Sequence, residues 1–116
     1  DPALVSELRA RQTPLEVCPT SNVCLKVTSS IAGHPLPRLL AEGLYITVNS
    51  DDPAMFNTTL TNEYETIART FALTAADIER RALNSVQAAL LPQPERDAMA
   101  HRFTQEFAQL GRRSVP

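Results

Sequence analysis

Apolar positions along this chain follow two rhythms. Among residues 3–11, Leu4, Val5 and Leu8 recur at helical spacing between polar residues, which predicts an amphipathic helix. Thr13-Pro14 ends it, because a residue preceding proline is pushed out of the helical region. Residues 15–18 (LEVC) alternate apolar and polar over a strand-sized length, and Pro19 with the PTSN cluster then breaks the strand. His34-Pro35 opens a second helix, PLPRLLAE, with proline tolerated in its first turn and Gly43 placed as a left-handed cap. A second strand follows over residues 45–48. Helix, strand, helix, strand makes a βαβ unit with a helix before it.

From residue 60 the period is helical throughout. Leu60, Tyr64, Ile67 and Phe71 share one face. Thr74 and Asp77 form a capping-box pattern ahead of AADIERRALNSVQAAL, which Pro92 stops. Gln93-Pro94 begins a last helix expected to run to about Leu110, before Gly111. No internal repeat is visible. The first half therefore reads as α/β and the second as all-α. Two parallel strands do not make a stable sheet alone, since purely parallel sheets are covered on both faces and contain more strands. The pattern predicts one end of a larger α/β fold.

Composition narrows the function classes. The chain has 116 residues, enough for one domain and one core, with 43% hydrophobic and 21% charged residues, as in an ordinary soluble protein. No apolar run approaches the ~20 residues of a membrane span. The net charge is −2 and no Lys/Arg stripe occurs before the tail, which argues against nucleic-acid binding. Arg112 and Arg113 read as a solvated end. The start, DPALVSELRA, fits neither a signal nor a transit peptide and lacks an initiator Met, so it looks cut or processed. Cys18 and Cys24 have no nearby His to complete a zinc knuckle, and two cysteines make a poor disulfide framework. They read as reduced thiols of a cytoplasmic protein.

The candidate chemistry sits in VNSDDPAMF. Along an extended chain, Tyr45, Thr47, Asn49 and Asp51 share one side and Ile46, Val48 and Ser50 the other. Asp51 would then end a polar row, where a barrel strand carries an active carboxylate. Asp51 and Asp52 equally suit a polar turn before Pro53. Two adjacent carboxylates raise one pKa unless a cation lies nearby, which makes a metal attractive without requiring one.

The wider context carries a resemblance. PLEVCPTSNVCL, HPLPRLLAEGLYITVNSDDPAMFNTTLTNEY and ERRALNSVQAALLP together resemble the C-terminal part of the adenosine deaminase family, and DPALVSEL fits the segment after that family's sixth strand. The resemblance covers residues 1 to about 110. It implies a zinc-dependent (β/α)8 TIM barrel that removes the 6-amino group of a purine by hydrolysis, adenosine giving inosine. This chain would be the C-terminal portion of that single domain, with LEVC the seventh strand, YITV the eighth and residues 60–110 the closing helices.

The match implies Asp51 as a zinc ligand and Asp52 as the contact to purine N7, where two acceptors would share a proton. The family's His-x-His pair, third His ligand, Glu acid/base and further His all belong to strands upstream of residue 1. His34 and His101 match no catalytic position and read as structural or surface groups. The P-C-x-x-C type of deaminase zinc site does not fit CPTSNVC, so Cys18 reads as a barrel residue. Ser21 and Asn22 would lie in a loop near the mouth. Met55 and Phe56 suit a pocket wall or a helix anchor, Glu63-Tyr64 a structural pair, and Arg80-Arg81 a solvated face.

The resemblance thus implies a purine nucleoside as small-molecule partner, with neither nucleic acid nor membrane, and an isolated chain that is inactive and prone to self-association. The AMFNTTL stretch favours adenosine over adenine. Adenine, aminodeoxyfutalosine and N6-modified nucleotides remain alternative substrates, and a non-catalytic interaction module remains an alternative role.

Overall fold

The computed structural model describes residues 1–113, with side chains to Gly111. The Arg112 and Arg113 side chains, read above as a solvated end, lie outside that range. Helix α1 spans Pro2–Arg11. The Asp1 side chain accepts the amides of Ala3 and Leu4, and Gln12 closes the helix in a left-handed conformation at φ 49°. Strand β1 is Leu15–Val17 and strand β2 is Ile46–Val48. Between them lie α2 (Pro19–Cys24) and α3 (Leu36–Ala41). After β2 come α4 (Pro53–Phe56), α5 (Leu60–Phe71), α6 (Ala75–Ala88) and α7 (Gln93–Arg113).

The two strands pair in parallel, Leu15 with Ile46, Glu16 with Thr47 and Val17 with Val48. Leu15 donates its amide to the carbonyl of Tyr45, and Asn49 donates to Val17. Backbone directions alternate along a strand, so Ile46 and Val48 point their peptide groups away from β1. On that outer edge the Asn84 side chain of α6 donates to the Ile46 carbonyl at 2.8 Å, and the Tyr45 hydroxyl returns a bond to the Asn84 carbonyl at 2.9 Å. Helix α6 is thereby tied along β2.

The core gathers Val17, Leu36, Leu44, Ile46, Val48 and Ile67, with Val5, Leu8, Leu39, Tyr64 and Phe71 packed partly around it. Full burial of one such side chain contributes about 1.5–3 kcal/mol, and this cluster is small for a chain of this length. Helix α1 contributes no fully buried residue. It is held by Val5, Leu8 and polar ties, Arg9 to Glu42 and Gln12 to the Gly43 carbonyl. Gly43 sits at φ +72°, a conformation that turns α3 directly into β2 and that side chains rarely adopt.

Five expectations need correction. Each strand is one residue shorter than its pattern, leaving Cys18 and Tyr45 at the strand ends, where only the Tyr45 carbonyl reaches across to the other strand. The PTSN cluster is a helix, α2, because Pro19 occupies its first turn and a distant carboxylate caps it. Helix α7 continues through Gly111, a position open to solvent where glycine costs about 1 kcal/mol without breaking the helix. Leu60, on the expected buried face of α5, is half exposed. Arg81 is not solvated: only 9% of it is exposed, because it lies on the same stripe of α6 as Ile78 and Ser85.

Candidate functional site

The carboxylates stand beyond the C-terminal end of β2. Asn49 still pairs with Val17, and its side chain donates to Thr47 Oγ1 at 2.9 Å, so the polar row predicted for this strand exists up to that point. Asp51 then departs from the extended path at φ 57°. This left-handed conformation is tolerated best by glycine, asparagine and aspartate. It separates the two acids. Asp51 Oδ2 accepts the Ser21 hydroxyl at 2.7 Å, across thirty positions of sequence, whereas Asp52 Oδ1 accepts the Met55 amide at 2.9 Å and caps α4. The polar-turn reading therefore describes part of what Asp52 does. The second oxygens of both carboxylates accept no bond among the described residues, and neither residue joins an ion pair there.

Helix α2 brings Ser21 to this position. Ser21 is buried, and α2 begins straight after β1, so its first turn faces the turn that follows β2. Cys18, between β1 and α2, has its thiol pKa raised by burial first, then by the negative charges of Asp51, Glu16 and Glu63. The Asp51 amide donates to it and opposes the rise. Cys18 is thus a protonated thiol beside the site at neutral pH. Asn22 turns the other way, with Oδ1 2.9 Å from His34 Nε2, while His34 Nδ1 accepts the Leu36 amide at 3.0 Å. The acceptor at Nδ1 assigns the proton to Nε2, so His34 is a neutral structural imidazole. His101 is exposed on α7 beside Gln105.

Glu63 is fully enclosed and accepts from Thr20 and Thr58, a network of which the sequence shows no more than a Glu-Tyr pair on an amphipathic helix. Met55 is exposed and Phe56 half buried. A cavity of about 270 Å³ opens near the N-terminal end of β2, lined by Gln12, Tyr45, Arg80, Arg81 and Asn84. It lies at the opposite end of the strand from Asp51.

Among the described residues no three His, Cys, Asp or Glu side chains lie close enough together to hold a metal ion. The donors present fit one ligand, a carboxylate with one oxygen fixed and one open, and not a complete centre. No helix among the described residues is long and apolar enough to cross a membrane.

Comparison with known proteins gives the family. The adenosine deaminase family model matches residues 1–106. An aminodeoxyfutalosine deaminase of Streptomyces coelicolor is 40% identical over 100 residues, covering 86% of this chain and 26% of that protein. The crystal structure of an adenine deaminase from Arthrobacter aurescens superposes with a TM-score of 0.86 at 34% identity, over 90% of this chain and 32% of the other. An amidohydrolase from Burkholderia ambifaria, solved with bound zinc, superposes at 0.84 with 25% identity, over 96% and 31%. The chain belongs to the adenosine deaminase family, whose members are deaminases and thus hydrolases. It spans about a quarter to a third of the length of these relatives.

Proposed function

We propose that this chain is the closing part of a (β/α)8 barrel that hydrolytically deaminates an adenine compound, with β1 and β2 as its last two strands. The observation that supports it best is the Asp51 carboxylate, held by Ser21 on one oxygen and open on the other, at the C-terminal end of a parallel strand. In this reading Asp51 supplies one zinc ligand. The remaining ligands come from another part of the polypeptide, since a catalytic zinc takes three protein ligands. Bound zinc supplies Lewis acidity and a water of lowered pKa. Asp52 keeps Oδ1 on the Met55 amide and turns Oδ2 toward purine N7, sharing the proton that two acceptors need.

The substrate is a small molecule carrying an adenine ring. Adenosine, which AMFNTTL favours, stands here beside adenine and aminodeoxyfutalosine, the compounds in the names of two relatives. The cytoplasmic setting inferred from the two thiols belongs to the same proposal.

The direct test adds zinc and each of the three compounds to the 116-residue chain and follows purine absorbance. No turnover is expected, and clear turnover would overturn the reading of an incomplete centre. In a complete barrel carrying this segment, Asp51→Ala should lose zinc and activity together. Asp52→Ala should lower kcat/KM roughly 10- to 100-fold, the loss of one hydrogen bond to a charged group. Full activity in both variants would sink the assignment.

A further inference from the structure

Glu63 presents an anomaly that the proposed chemistry does not use. It is 0% exposed and faces no cation among the described residues, although a buried carboxylate is costly unless it is well bonded. Its two oxygens reach two different segments. Oε2 accepts the backbone amide of Thr20 at 3.0 Å, and Oε1 accepts the Thr58 hydroxyl at 2.6 Å. Thr20 is the second residue of α2, and Cys18, ahead of that helix, makes no side-chain cap. Glu63 performs the capping from forty-three positions away. The next residue after Thr20 is Ser21, whose hydroxyl holds Asp51. Thr58 lies just beyond α4, on the far side of the two aspartates.

We infer that Glu63 is a positioning residue for the Asp51 carboxylate. It fixes the first turn of α2, hence the Ser21 hydroxyl, hence which oxygen of Asp51 stays open. Its bond to Thr58 anchors the segment that follows Asp51 and Asp52, so both flanks of the turn are referred to one buried group. The chemical consequence rests on the ligand role proposed for Asp51, whereas the link itself does not.

The test therefore has two stages. In the 116-residue chain, Glu63→Ala should make the Thr20 amide exchange roughly tenfold faster, as loss of a helix cap implies. It should also average the side-chain couplings of Ser21 and Asp51 measured by NMR. Glu63→Gln can keep only one acceptor oxygen and should fall between, and it preserves the volume should the Ala variant not fold. Ile67→Val, a buried change on the same helix, should leave Thr20, Ser21 and Asp51 as they are. If Glu63→Gln and Glu63→Ala both leave these three residues unchanged, the inference is overturned. In a complete barrel the same variants should weaken zinc binding about 10- to 100-fold with little change in KM. Loosened Ser21 and Asp51 with unaltered zinc affinity would overturn the ligand role of Asp51 and leave the link standing.

Discussion

At the residue scale, His34 shows how one buried group sets a pH limit. Its Nδ1 must stay unprotonated to accept the Leu36 amide, and burial lowers its pKa from 6.5. Above that value the folded and unfolded chains both hold it neutral, so it adds no pH dependence. Below it the unfolded chain takes up a proton that the folded chain refuses. Stability is therefore full above pH 6.5, declines as pH falls toward the lower folded pKa, and levels off beneath that. Urea midpoints measured across this window should show the decline, and His34→Gln should flatten it; an unchanged profile in the variant would refute the assignment. This imidazole was legible as structural because it matches no catalytic position of the family that the chain resembles. Ser21 was legible as a neighbour of the site through the family resemblance, but its bond to Asp51 and the role of Glu63 were not, since these partners lie thirty and forty-three positions away and no local pattern reports a contact at that distance.

Among the elements, those with local grammar were readable. The Thr74–Asp77 capping box forms as its spacing predicts, and Gly43 takes its left-handed place after α3. Helix α2 was hidden because its stabilising cap comes from α5, while its own residues spell a turn. Helix α6 misled in another way. Adjacent arginines beside Glu79 look solvated, yet the helical period puts Arg81 three and four positions from Ile78 and Ser85 on the inner stripe. Its Nε has no partner among the described residues, and burial is the main cause of its lowered pKa. A buried guanidinium nitrogen without a partner is a cost that an apolar side chain of similar length avoids. Arg81→Met should raise the urea midpoint, by about 1 kcal/mol in stability. A loss instead would show that the contacts of Arg81, with Asp77 among them, outweigh that cost.

At the scale of the chain, the described residues form a two-stranded parallel ribbon with helices gathered around it. The sequence already exposed this shortfall, because two strands cannot complete a parallel sheet. The structure adds where the deficit lies: Leu25, Val27, Met55 and Leu90 are exposed, and β2 has an outer edge. Exposed apolar surface and open strand edges favour association. Size-exclusion chromatography of the isolated chain should show concentration-dependent oligomers, with faster amide exchange in β1 and β2 than in α5 and α6. A compact monomer with protected strands would contradict this.

The bond from Asn84 to the Ile46 carbonyl bears on how any strand joins that edge. A bare edge is a template: it accepts a copy in any register, and the copy offers the same edge to the next. Here one rung is already occupied, so an incoming strand must either displace the amide or start its ladder beyond it. The tether thus sets where along this edge a further ladder can begin.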